Sequence, residues 1–258
     1  MTREEYTMVR TIVSGCSGRM GQVITALAGE DPQITVVAGI DIAGSTGQAY
    51  PVYKTFADCE EEADVIIDFS SPAVFDSMID YALAHHIPAV VCTTGLSEEQ
   101  IERLAEAAKE TAMLRSANMS LGINVLQKVL KEAAKVLAPA GFDIEIVERH
   151  HNRKKDAPSG TALALADSVN AALSEPRSYV YDRSGRFEPR RPDEIGICAV
   201  RGGTIVGDHE VIFAGTDEVI EFKHTAYSRT IFAKGAIEAA KFMAGRAPGL
   251  YDMSDVIG

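Results

Sequence analysis

Residues 150–161, "HHNRKKDAPSGT", set two adjacent histidines and three further cations directly before a helix-start pattern. From Arg149 to Lys155 every residue but Asn152 is basic or becomes so on protonation. Histidine has the side chain whose ordinary pKa lies closest to neutrality, so His150 or His151 could deliver a proton. Pro158, Ser159, Gly160 and Thr161 then read as a helix N-terminus: proline suits the first turn, the hydroxyls cap, and glycine lets an anion reach the amides. Together these features describe a site for a small substrate carrying one or more carboxylates. A solvated surface loop is the plain alternative; the two histidines, and the half-buried strand just before them, favour the site. A charge about 6 Å from an imidazole, at an effective dielectric of ~20, interacts by roughly 2–3 kcal/mol, or about two pKa units. The cations are therefore expected to keep the imidazole neutral until a bound dianion offsets them and arms it as a general acid.

A second constellation lies near the start. "GCSGRMG" places Gly15, Gly18 and Gly21 between a first apolar run and a helical pattern. Glycines there let backbone approach a pyrophosphate, and the helix N-terminus adds amides and partial positive charge. Asp41 follows about 20 residues beyond Gly21, at the end of the next apolar run, where an acid accepts ribose hydroxyls. An acid there repels a 2′-phosphate, and Ile42 and Ala43 bring no compensating cation. NADH is thus expected to be preferred or at least fully accepted; Arg19 is the nearby cation that would permit NADPH. Thr93 and Thr94, in "CTTG", could face the nicotinamide end or simply form a helix-capping loop.

The elements that position these groups follow from periodicity. Short apolar runs at 8–14, 34–40, 64–69 and 87–92 alternate with helical patterns, the signature of βα units and a parallel sheet. A helix is expected at 97–110, with Ser97 and Gln100 as a capping box. The character changes near residue 120. A helix candidate spans 121–138, "FDIEIVE" alternates as a half-buried strand, and an Ala-rich helix runs from about Ser159 to Leu173. "EIGICAV", "HEVIFA" and "EVIEFKHTA" are expected to be antiparallel strands, and 228–245 helical.

Composition sets limits on function. Lys+Arg 25 against Asp+Glu 37 gives a net charge of −12, which argues against nucleic-acid or anionic-membrane partners. No apolar run approaches the ~18 residues of a membrane span, and "MTREEYTMVR" does not resemble a signal peptide. Cys16, Cys59, Cys92 and Cys198 are scattered, as free thiols of a cytoplasmic protein would be. The histidines have no metal-ligand spacing, so no metal is expected.

"HHNRKKDAPSGTA" resembles the signature of the dihydrodipicolinate reductase family. "GCSGRMG", "DFSSP", "TTG", "SANMSLGIN", "RGGTIVGDHEV" and "GLYDMSDV" fall in that family's order along essentially the whole chain. The resemblance implies an α/β fold, with a Rossmann-like nucleotide domain over 1–120 with 228–258. It further implies a mixed-sheet α+β domain over 121–227 that binds substrate and forms a homotetramer. The implied reaction reduces 4-hydroxy-tetrahydrodipicolinate, a heterocyclic dicarboxylate, with NAD(P)H in lysine and diaminopimelate synthesis. It matches His150 to the proton donor, Lys154 to the second catalytic residue, and His151, Gly160 and Thr161 to the carboxylate-holding positions. Gly15, Cys16, Ser17, Gly18, Arg19, Met20, Asp41, Cys92, Thr93, Thr94, Ser116, Ala117, Asn118 and Met119 match the cofactor contacts. Two departures stand out: Cys92 replaces the family's usual glycine, and the arginine usual after Asp41 is missing. Rival readings are another nicotinamide dehydrogenase of amino-acid metabolism, or a non-catalytic NADH-binding sensor.

Overall fold

The computed structural model describes residues 8–45 and 47–258. The chain forms two compact units. Unit 1 ends at Met119 and resumes at Thr230–Gly258; unit 2 is Ser120–Arg229. Unit 1 contains β1 (Val9–Ser14), α1 (Arg19–Glu30), β2 (Ile34–Ile40), β3 (Val52–Tyr53), β4 (Val65–Asp68), α2 (Pro72–His85), β5 (Ala89–Val91), α3 (Glu98–Ala107) and β6 (Ala112–Arg115). Unit 2 follows with α4 (Leu121–Leu137), β7 (Asp143–His150), α5 (Gly160–Asn170), β8 (Ser178–Val180), β9 (Glu194–Arg201), β10 (Gly207–Ala214) and β11 (Val219–Ala226). The chain returns to unit 1 as α6 (Thr230–Met243), β12 (Gly249–Tyr251) and α7 (Met253–Ile257).

The sheet of unit 1 is parallel throughout, in the order β12-β6-β5-β4-β1-β2-β3. Its central strands are buried on both faces, which explains why "VII" (65–67) and "AVV" (89–91) are continuous apolar runs rather than alternating ones. Ile12 and Ile66 pack into one cluster with Phe75, Met78 and Ile79 of α2 and Leu104 of α3. Val13, Val65 and Ile67 alternate to the other face, where α6 lies against β1, β4 and β5. α3 starts with the expected capping box, Ser97 accepting from the Gln100 amide at 3.2 Å. β3, β6 and β12 have between two and four residues, too short for periodicity to reveal.

The strand order reverses between β1 and β4, and the carboxyl edge at such a switch point is the usual ligand edge of these sheets. Gly15 N–H bonds the Ile40 carbonyl, Phe69 N–H that of Ser14, and Cys92 N–H that of Asp68. These bonds align the ends of β1, β2, β4 and β5 along one edge.

Unit 2 has a five-stranded sheet ordered β11-β10-β7-β9-β8. The expected all-antiparallel arrangement of its last three long strands is corrected here. β10 and β11 are antiparallel, but β9 runs parallel to β7 and β8 and does not neighbour β10. The reason is the connection: β7 is followed by α5, and a helical crossover returns the chain in the same direction. β7 alternates strictly, with Ile144, Ile146, Glu148 and His150 on the buried face. Ile144 and Ile146 join Val211 and Phe213 of β10, and Leu165 and Val169 of α5, in the core. The opposite face of β7 carries ion pairs instead, Glu145 with Arg183 and Arg190, and Arg149 with Glu210. α5 stops at Asn170, short of the expected Leu173; the next residues tighten into bonds such as Ala172 N–H to the Val169 carbonyl.

Candidate active site

The edge of unit 1 is shaped first by backbone. Gly15 has φ +78, and a Cβ on it would sit 2.6 Å from the Phe69 carbonyl oxygen. A Cβ on Gly21 would overlap the Gly15 carbonyl and the Cys16 backbone. Both glycines are therefore required by the turn itself. Gly18 is the N-cap of α1 and brings no side-chain cap, which leaves the helix entrance unobstructed. Cys16 is fully buried, its sulfur against Gly39, so only its backbone can face a ligand.

Asp41 ties this loop down. Its Oδ2 accepts from Ser17 N–H at 3.0 Å and its Oδ1 from Ala43 N–H at 2.9 Å. Each oxygen keeps a second lone pair for a ribose hydroxyl. Gly15, Gly18, Asp41, Phe69 and Ser70 line a cavity of about 240 Å³. Lys54, at the end of β3, lines it too, and sequence reasoning overlooked this cation. Arg19 is exposed on the first turn of α1, and Met20 is half-buried beside it. The β3 strand that delivers Lys54 is two residues long, which is why nothing in the sequence pointed to it.

At the other end of the edge, Thr93 is buried and Thr94 exposed. Thr93 Oγ1 is a buried hydroxyl with no partner among the described residues, a polar atom suited to a ligand. Cys92 is half-buried; burial, and secondarily the Asp68 charge, push its thiol well above the usual range. It is a protonated thiol at neutral pH. Ser116, Ala117 and Asn118 follow β6 as a partly exposed loop, while Met119 is buried. A Cβ at Gly235 would overlap the Met119 carbonyl, so this glycine allows α6 to pack there.

The end of β7 is built differently. Glu148 is fully buried, His150 is 8% exposed, and alternation puts them on the same face. His150 Nδ1 lies 2.6 Å from Glu148 Oε2. The carboxylate also accepts from Arg201 Nη1 at 2.8 Å, from Nη2 at 2.7 Å and from Ser159 N–H at 2.9 Å. Burial pushes the Glu148 pKa up, but Arg201, His150 and the Ser159 amide outweigh it and hold it below the ordinary value. It is an ionised acceptor, so Nδ1 of His150 carries the hydrogen.

His150 itself lies below the ordinary imidazole pKa. Burial is the leading cause; Glu148 opposes it, and Lys154 and Arg201 add to it. The expected direction holds, but burial leads and the cationic run contributes less than anticipated. Of that run, Arg149 points to the opposite sheet face and pairs with Glu210 at 2.8 Å. Arg153 and Lys155 are exposed, and Lys154 pairs with Asp156 at 2.9 Å. The second cation at His150 is Arg201 of β9, outside the run altogether.

His151 leaves the strand at the point where the loop begins, and its Nδ1 is buried with no partner among the described residues. Pro158 precedes the cap rather than occupying the first turn. Ser159 is the N-cap of α5, its hydroxyl accepting from Ala162 N–H at 3.1 Å. Gly160 opens the helix, and no described residue beyond its own helix start lies within 4 Å of where its Cβ would be. Thr161 follows it, half-buried. His209 stands across from Glu148 in the β10–β7 register, its Nε2 3.0 Å from Ser159 Oγ and its ring edge-on to His150 at 5.1 Å. Burial, then the neighbouring His150, pushes the His209 pKa down to about 4. Gly207 guards the other ring nitrogen: a Cβ there would lie 3.0 Å from His150 Nε2. Glu148, Arg201, Gly207 and His209 were not picked out from the sequence. Glu148 had a usable signal, since residues two apart on a strand share a face.

Family models for the dihydrodipicolinate reductase N-terminus and C-terminus match residues 9–119 and 122–257. The chain belongs to the dihydrodipicolinate reductase family. It is 55% identical over 250 residues to the 4-hydroxy-tetrahydrodipicolinate reductase of Caldanaerobacter subterraneus, covering 97% of this chain and 98% of that one. The Clostridium novyi enzyme of the same description is 46% identical, over 97% and 98% of the two chains. Among solved structures, the dipicolinate-bound dihydrodipicolinate reductase from Paenisporosarcina sp. TG-14 matches with TM-score 0.80 at 22% identity, covering 95% of this chain and 98% of that one. A probable dehydrogenase from Thermotoga maritima shares the fold with TM-score 0.61 at 13% identity, over 96% and 92% of the two chains. The activity is that of an NAD(P)H-dependent 4-hydroxy-tetrahydrodipicolinate reductase of lysine biosynthesis. This sets aside the other-dehydrogenase and sensor readings. No described helix is long and apolar enough to cross a membrane. Among the described residues no cluster of three or more His, Cys, Asp or Glu is arranged for a metal ion.

Proposed function

We propose that His150 is the general acid of this reductase and that unit 2 seats a dipicolinate-type dicarboxylate around it. The observation that carries the reading is the His150 ring itself. Its Nδ1 is held by buried Glu148, and its Nε2 has no hydrogen-bond partner among the described residues, with Gly207 leaving room beside it. The amides at the start of α5, open above Gly160, take one carboxylate together with Thr161; His151 and Lys154 take the other. As the dianion arrives it offsets Lys154 and Arg201, so His150 gains its second proton. The substrate loses water and gains a hydride and a proton, the proton coming from His150 Nε2. Lys154 stays close enough to stabilise negative charge as it develops.

Unit 1 holds the dinucleotide, which when bound supplies the hydride. The pyrophosphate lies at the loop Gly15–Met20, the adenosine ribose at Asp41, and the nicotinamide end against Cys92–Thr94 and Ser116–Met119. The unpartnered Thr93 hydroxyl and the glycine turn fit such a group. Asp41 favours the ribose hydroxyls of NADH, and Lys54 beside it makes a 2′-phosphate tolerable, so both cofactors are used with NADH at least equal. Unit 2 also forms a homotetramer through the sheet face its helices leave uncovered, where Cys198 and Val200 are exposed. The protein works in the cytoplasm, where its four free cysteines stay reduced.

The experiment generates the substrate from pyruvate and aspartate semialdehyde with its synthase and follows the oxidation of each cofactor. Both are expected to react, with the KM for NADH no higher than that for NADPH. A far lower KM and higher kcat with NADPH would contradict the role given to Asp41.

A further inference from the structure

The carboxylate of Glu148 is a buried, heavily engaged group in unit 2 that no step of the reaction uses. It is fully buried, and it takes four hydrogen bonds from three different elements: His150 on its own strand, Arg201 on β9, and the Ser159 amide at the start of α5. Removing a carboxylate from water costs several kcal/mol, and a buried charge persists only where its partners are well placed. Arg201 meets it with both terminal nitrogens in the planar, two-armed geometry that fixes a carboxylate's orientation. Arg201 also donates to the Asp156 carbonyl at 2.8 Å, which ties the same guanidinium to the loop carrying Lys154.

We propose that Glu148, clamped by Arg201 and the Ser159 amide, is a positioning residue that fixes His150 as the Nδ1–H tautomer and turns Nε2 alone toward substrate. The proposal rests on the reading that His150 gives the proton. Which ring nitrogen carries hydrogen is set by the bond the other one makes, and an ionised carboxylate can only accept. The same carboxylate anchors the Ser159 amide, so the acid and the helix start that receives the substrate are held to one point. A carboxylate 2.6 Å from Nδ1 also favours the imidazolium, against the pull of burial. Around the ring the charged and titratable groups are Glu148 on β7, Lys154 in the following loop, Arg201 on β9 and His209 on β10. Glu148 is the anion among them.

The test is long-range ¹⁵N–¹H NMR of the histidine rings in the full-length protein, combined with kinetics of Glu148→Gln. In the unaltered protein at high pH, His150 is expected to be protonated on Nδ1; finding the hydrogen on Nε2 overturns the proposal without any variant. In Glu148→Gln the amide can donate toward Nδ1, so the hydrogen is expected to move to Nε2. kcat should then fall roughly 10–100-fold with substrate KM little changed. Because activity needs the imidazolium, the limb of kcat that falls with rising pH should move to lower pH, which a merely structural loss would not produce. Arg201→Lys keeps the charge but loses the two-armed grip; it is expected to retain the Nδ1–H form and most of kcat. An unchanged tautomer in Glu148→Gln overturns the positioning role. A moved tautomer with unchanged kcat overturns the catalytic half of the proposal, and with it the assignment of His150 as acid.

Discussion

The glycine turn of unit 1 and the end of β7 in unit 2 are both ligand edges, but they are made of different material. At the turn the determinant is backbone: Gly15 and Gly21 are compelled by neighbouring main chain, and Asp41 holds the loop to the end of β2 through the Ser17 amide and steadies its own turn through the Ala43 amide. At β7 the determinant is one buried carboxylate on which donors from three elements converge: His150 of β7, Arg201 of β9 and the Ser159 amide at the start of α5. Gly160 makes the contrast plain, since no described residue outside its own helix start comes within 4 Å of where its Cβ would be. A glycine compelled by its own fold and a glycine left open look identical in sequence. They should respond oppositely to substitution.

The largest expected effect lies at β7. His150→Gln should lower kcat by roughly 10²–10⁴ with KM little changed. A loss confined to KM would make His150 a binding residue and leave His151 as the candidate acid. Next comes the glycine pair. Gly15→Ala places a Cβ against the Phe69 carbonyl at a φ of +78, and should destabilise unit 1 by about 2–3 kcal/mol, seen as a lower unfolding midpoint. Gly160→Ala should leave that midpoint unchanged and raise substrate KM. Equal effects on the midpoint would erase the distinction between the two edges.

The buried imidazoles sharpen it further through pH. His209 titrates near 4 when folded against 6.5 when exposed, so the unfolded chain takes the proton first as pH falls. The stability of neutral, buried His209 is fully present above about pH 6.5 and is lost as pH drops toward 4. About 2 kcal/mol should disappear between pH 7 and pH 5, and His209→Gln should flatten that slope in thermal melts. The smallest effect concerns the cofactor edge: Lys54→Glu should raise the Kd ratio of NADPH to NADH about tenfold, read by equilibrium fluorescence of the bound nucleotide. An unchanged ratio would remove Lys54 from the cofactor site.

The same contrast explains what could be read from the sequence. The glycine turn, Asp41, the βα alternation and the Ser97 capping box depend on neighbours in sequence, and they were legible. The parallel placement of β9 was not, because a strand's partner is set by the crossover before it and leaves no mark on its own residues. Lys54 was hidden behind a two-residue strand. Arg201 and His209 were hidden because they reach Glu148 and His150 across strand pairings of long sequence separation. The run Arg149–Lys155 was legible as charge but not as geometry. Alternation sends Arg149 to the opposite face, and two of the other cations face solvent.

The central claim is that burial and cations hold His150 neutral in the free protein and that a dicarboxylate arms it. An NMR titration of the His150 ring with and without pyridine-2,6-dicarboxylate tests it most directly. The account predicts a pKa below the ordinary imidazole value in the free protein and a rise when the dianion binds. An identical His150 pKa in the two states would contradict it.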